Sequence, residues 1–252
     1  MNLDCVYKEV LIFMEHCVNS LNEQVPPPKR IPYGESFVFR HVEKSPYQAI
    51  VQKLARMVST LHSAYLLLNY GFVQEQATLE RILDEIQEDV CFLSYGIISG
   101  DLDESLHKKY LDAFFQEEFD SEDPMKSTQK RPTVSRRKVR AYIAKKDQEM
   151  TRLEPTKGVH LSRILSKTYS GYVHAASPHI MSMYGGSPPR FHMTGMVATK
   201  VHHMHKEEIW NYFYRGLTTL SFATKVFGNS DLDGEISACI KEFEKTPKIK
   251  AG

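Results

Sequence analysis

Cysteine, phosphate-loop glycines and long apolar runs are what this chain has least of. Its 252 residues include four cysteines, Cys5, Cys17, Cys91 and Cys239, and no two form a C-x-x-C pair. A disulfide framework or a cysteine zinc site is therefore excluded, and reduced, buried thiols are expected. The longest apolar stretch, Ala64 to Val73, is ten residues long and contains Asn69, about half of what a bilayer span requires. Met1 to Gln24 carries Asp4, Lys8, Glu9 and Glu15 among its apolar residues, so the unbroken run of a secretory signal is missing. No membrane partner and a cytoplasmic location are expected. No Walker loop, G-x-G-x-x-G, H-E-x-x-H or G-x-S-x-G occurs. The Gly185-Gly186-Ser187-Pro188-Pro189 stretch has neither the lysine nor the preceding strand of a phosphate loop and reads as a connector. No cofactor is expected. An excess of one charge is also lacking: the net charge is +1, so the chain as a whole is not a polyanion binder.

Helical periodicity is what the chain does have. Apolar residues recur at Leu3, Val6, Val10, Phe13, Met14, Cys17, Val18 and Leu21, the spacing of one buried helical stripe. Pro26, Pro27 and Pro28 then stop the helix. Arg30 to Lys44 has no clear period and reads as an extended connection, with Phe37 to Val42 the one strand candidate. Ser45-Pro46 is a helix start, Ser as cap and Pro in the first turn. One stripe then runs from Ile50 to Leu68 and a second from Val73 to Leu93, with Gly71 as the break between them. Two such helices joined tightly make an antiparallel hairpin. Asp101 or Asp103 is a cap for a helix reaching about Phe119. Residues 120–133 are polar, with Pro124 and Pro132, and read as a flexible loop. A basic helix is expected over Ser135 to Arg152, another from Thr156 or His160 to Val173, and a short restart at Ser177-Pro178. A long helix should run from near Thr194 to Phe227 and a last one from Leu232 to Phe243, before a frayed tail at 245–252. The expected fold is all-α, a single domain over 1–252 of seven to nine helices.

Overall neutrality conceals two opposed stretches. Glu75 to Asp123 carries a net of −12, from fifteen acids and three bases, whereas Lys130 to Arg152 carries +7, from nine bases and two acids. Clustered Arg136, Arg137, Lys138 and Arg140 can meet phosphate backbones. They can equally dock on the protein's own acidic helices, the commoner fate of a basic helix.

Several side chains could carry chemistry. In Tyr169-Ser170-Gly171-Tyr172-Val173-His174, Ser170 and His174 share a helix face, and a hydroxyl beside an imidazole can support proton transfer or nucleophile activation. A shared buried hydrogen bond is the plainer outcome. His202, His203 and His205 resemble a metal tract, but on one helix they point in different directions. His203 and Glu207, with His174 or His179, would be the best set, and the expectation is that no metal is held. Arg81 and Glu85 have the spacing of a local ion pair on a helix rich in core positions.

The run Ala77-Thr78-Leu79-Glu80-Arg81-Ile82-Leu83-Asp84-Glu85 resembles the "small-x-x-x-Arg-x-x-x-Glu" helix of an uncharacterised group of bacterial all-helical proteins. A later helix of that group carries a Tyr/Ser/His cluster, similar here to Tyr169, Ser170 and His174. The group looks related to HEPN-like bundles, some of which are metal-independent ribonucleases of toxin and antiviral systems. The likeness spans roughly Tyr47 to Phe227. Catalytic HEPN proteins carry an Arg and a downstream His with four to six residues between them. Arg56 and His62 fit that spacing, but they lie on an early helix, and twelve arginines and eleven histidines produce one such pair by chance.

Two functions follow as expectations. The first is a helical regulatory or interaction protein, with an unidentified protein partner, whose polar pocket contains Arg81, Glu85, Tyr169, Ser170 and His174. The second is a ribonuclease in which His174 is the general acid or base, Ser170 and Tyr169 assist, and Arg136, Arg137, Lys138 and Arg140 hold RNA. A homodimer through a long helix pair is also expected.

Overall fold

The computed structural model describes residues 3–246, apart from 104, 120, 122, 129, 131 and 152–168. Helix α1 (Leu3–Asn22) follows its apolar stripe and buries Tyr7, Leu11, Met14 and Leu21. After the prolines the chain forms a hairpin, β1 (Lys29–Tyr33) against β2 (Ser36–Arg40), antiparallel with Lys29 opposite Arg40 and Tyr33 opposite Ser36. The sequence reads this region as an extended connection with a strand candidate from Phe37. Its alternation is absent because neither face of the hairpin is buried, so no face selects apolar residues.

Helix α2 (Pro46–Asn69) begins where Ser45 caps it. Ser45 Oγ accepts from the Gln48 amide at 3.2 Å, and Gln48 Oε1 accepts from the Ser45 amide at 3.0 Å, so two donors that a helix start leaves orphaned are satisfied reciprocally. A three-residue joint leads into α3 (Val73–Ser99). Gly71 makes the joint possible: its φ is +76°, and a Cβ there would stand 2.5 Å from the Val197 nitrogen. Gly195, at φ +108°, meets the same joint, with the Tyr70 oxygen 2.3 Å from where its Cβ would be. The Met196 amide donates to the Gly71 oxygen at 2.8 Å. The two turns therefore touch backbone to backbone.

Helix α4 (Ser105–Phe114) tucks His107 beneath α3, stacked on Phe92 at 4.1 Å between ring centres. Helix α5 (Arg136–Thr151) lies along α3. A helical turn at 169–173 precedes α6 (Ser177–Met181) and a two-residue strand pair, β3 (Tyr184–Gly185) with β4 (Arg190–Phe191). The longest helix, α7 (Lys200–Phe227), starts later than the expected Thr194, because residues 194–199 form the turn against Gly71 and Thr199 Oγ1 caps the helix from the His202 amide at 3.2 Å. Helix α8 (Ser230–Glu244) closes the chain. The fold is all-α with two small antiparallel strand pairs. The helix expected from Thr156 or His160 lies outside the described residues up to 168, as do four positions of the 120–133 loop and residues 247–252 of the tail.

The apolar core sits where α1, α2, α7 and α8 meet. Met14, Leu54, Leu61, Phe213 and Leu217 are fully buried, each contributing about 1.5–3 kcal/mol by leaving water. Tyr7 packs on Phe213 at 4.6 Å, and Trp210 stacks on Phe243 at 5.2 Å. Among the described residues no helix is long and apolar enough to cross a membrane.

Candidate functional site

Helix α3 does not present an apolar face to α7. It buries Gln76, Glu80, Asp84 and Gln87, which recur at steps of three or four and so form one stripe. Helix α7 answers with His205, Glu208, Tyr212, Arg215 and Thr219. The result is a polar seam between the two longest helices.

At its upper end stand Glu80, His205 and Glu208. One ligand atom from each lies within 4.8 Å of the others. Gln76 links two of them: its Nε2 donates to Glu80 Oε1, and its Oε1 lies 2.6 Å from His205 Nδ1. Since that amide oxygen can only accept, Nδ1 carries the proton and Nε2 is left with a free lone pair. The Tyr169 hydroxyl donates to Glu208 Oε2 at 3.3 Å. Glu80 Oε2 is buried and has no hydrogen-bond partner. Burial first, then the charge of Glu208, hold the Glu80 carboxyl well above the usual carboxylate range, against a weaker pull from Tyr169 and Gln76. Burial also raises Glu208. Burial, helped by His202, lowers His205 to about 4, so its imidazole is neutral.

The middle of the seam is bridged by Arg215 and Asp84, 2.8 Å apart. Burial outweighs this partner and leaves Asp84 raised. Below it opens a cleft between α3, α5 and α7 of about 280 Å³, lined by Gln87, Glu88, Cys91, Arg140, Asp147 and Thr219 among others. Gln87 is 5% exposed, and neither its Nε2 nor its Oε1 has a hydrogen-bond partner. Arg140 Nη2 and Glu88 Oε2 are likewise buried without one, although Arg140 Nε donates to Glu88 Oε1 at 2.7 Å. Native proteins leave few buried polar atoms unsatisfied; this cleft gathers four.

The α5 side of α3 differs. Asp89 takes Arg136 Nη1 at 2.5 Å and Lys53 Nζ at 2.8 Å. Burial pushes Asp89 up, but these two cations outweigh it and its carboxyl lies below the usual value. Lys146 pairs with Asp101 at 2.9 Å. The basic helix thus docks on the protein's own acidic helix.

The residues singled out from the sequence stand in different surroundings. Arg81 and Glu85 pair at 2.7 Å, and Arg136 reaches Glu85 at 3.7 Å. Tyr169 is buried in the seam, Ser170 is half-buried and His174 is exposed. Among the described residues no side-chain hydrogen bond joins Ser170 to His174. Arg136 and Arg140 are engaged with acids of α3, whereas Arg137 and Lys138 face outward. The histidine tract splits as its spacing requires: His202 and His205 are buried and His203 is exposed. Sequence reasoning missed Glu80, Gln87 and Glu208. The available signals were polar residues in phase with Val73, Ala77 and Leu83, and a Glu three residues after His205. Comparison with family models, curated proteins and solved structures finds no match.

Proposed function

We propose that this chain is a helical regulatory or interaction protein that acts by binding a small polar ligand in the cleft between α3, α5 and α7. The carrying observation is Gln87, a buried amide with both donor and acceptor unmet, facing an open volume. Leaving such groups unpaired costs about 1–3 kcal/mol each, a cost that a ligand reclaims. The cleft lies just below the about 300–1,000 Å³ of drug-sized sites, so the ligand is small. Gln87 offers a paired donor and acceptor, Arg140 a donor and Glu88 an acceptor. A planar ring with adjacent donor and acceptor edges, such as a nucleobase, meets all three; glutamine reads adenine in this bidentate way. The Cys91 thiol, pushed up to about 12 by burial, is not a nucleophile at neutral pH.

The test is saturation-transfer NMR with adenine, guanine, cytosine and uracil on the wild type and Gln87→Ala. At least one base should bind, and the variant should weaken it about 10- to 100-fold. Silence from all four bases, or binding indifferent to Gln87→Ala, sinks the proposal.

A second reading, the metal-independent ribonuclease, is supported by the exposure of His174, Arg137 and Lys138. It expects RNA cleavage that His174→Ala abolishes in a folded protein. Cleavage surviving that change removes His174 from the chemistry.

A further inference from the structure

We propose that Glu80, His205 and Glu208 form a binding site for one divalent first-row transition ion, zinc foremost. Three observations carry this independently of the cleft. The first is convergence: two carboxylates and an imidazole bring ligand atoms within 4.8 Å of one another. A tetrahedral ion with bonds of about 2.0–2.1 Å needs donors about 3.4 Å apart, so rotamer-scale closure brings them in. The donors sit on two long helices that fix their heights, and His205 and Glu208, three residues apart, share one face of α7.

The second observation is charge. Glu80 is 0% exposed, and among the described residues neither it nor Glu208 forms an ion pair with Lys or Arg. Buried carboxylates are ordinarily paired with a cation or a metal. One dication with two carboxylates and a neutral imidazole makes a balanced set, and Glu80 Oε2 is a buried oxygen with no other partner.

The third is the supporting shell. A metal-binding histidine usually donates its other ring N–H to an oxygen that holds the ring in place. Here His205 Nδ1 donates to Gln76 Oε1, which leaves Nε2 as the lone pair available to an ion. Gln76 is oriented in turn by its bond to Glu80, and Tyr169 orients Glu208. Three protein ligands leave a fourth position for water or substrate, as in catalytic zinc sites, and Glu208 is only half-buried.

The experiment titrates the purified, chelator-treated full chain with Co²⁺, read by visible absorption, and then with Zn²⁺ in competition and by calorimetry. One equivalent of each should bind, Zn²⁺ displacing Co²⁺. Glu80→Gln and Glu208→Gln, near-isosteric and checked for folding by circular dichroism, should each weaken binding at least about 100-fold. His203→Ala, on the outer face, and Gln87→Ala, in the cleft, should leave it unchanged. Absence of Co²⁺ absorption and of Zn²⁺ heat overturns the proposal. So does binding that survives both glutamate variants or is lost in His203→Ala, since the ion would then lie on surface histidines. Failure of nucleobase binding leaves this result untouched, so the two proposals fail separately.

Discussion

Glu80 and Asp89 are acids on the same face-forming helix, 0% and 1% exposed, and they end in opposite states. Asp89 is clasped by Arg136 and Lys53 and pulled below the usual carboxylate range; Glu80 faces a second carboxylate and is pushed far above it. Burial is common to both, so company decides. The comparison separates charge that holds the fold together from charge that the fold keeps in reserve. Around Asp89 the cations of α5 and α2 satisfy the acid from within the chain, while around Glu80 no cation among the described residues does so.

The largest effect should come from breaking the satisfied side. Arg136→Met leaves Asp89 buried with Lys53 alone and should cost about 3 kcal/mol, the low end for a broken buried pair because Lys53 remains. A shifted urea midpoint at constant slope is the readout. Glu80→Gln should do the reverse in the metal-free protein, stabilising it by about 1–2 kcal/mol because an uncompensated buried acid becomes a neutral amide. If both changes destabilise alike, the contrast is wrong.

pH sharpens the same contrast. Asp89 is lowered from 3.8, so its contribution is complete above that value and is lost as pH falls through its lower folded-state value. Glu80 is raised from 4.5, so it favours folding below that value, and this support is lost as pH climbs toward its folded-state value. The gap between Glu80→Gln and wild type should close below about pH 4.5 and widen above it, while the gap for Arg136→Met should close only below about pH 3.8. The smallest effect is expected for Gln87→Leu, a stabilisation of about 1 kcal/mol in the ligand-free protein, since it deletes a buried amide that bonds to nothing.

The helices were legible because α1, α2 and α7 each bury one apolar stripe, and the Gly71 joint announced itself. The seam was not. Gln76, Glu80 and Gln87 alternate with Ala77, Leu83 and Ile86, and their polarity alone reads as an outer face. Only α7, far along the chain, turns that face inward. The acid–base matching of α3 with α5 was legible in the opposed charge stretches, whereas the hairpin at Lys29–Arg40 lacked alternation because both its faces meet solvent.

The contact between the Gly71 and Gly195 turns acts as an end stop for α7. It sets how far that helix is advanced beside α3, with help from His202, whose Nε2 meets the Leu68 oxygen at 2.7 Å. A slip of one residue would move α7 by about 1.5 Å, more than a hydrogen bond tolerates, and it would carry His205, Glu208 and Arg215 out of alignment together. The row is thus tuned like the teeth of a key, all at once and from one end, by two residues that have no side chains.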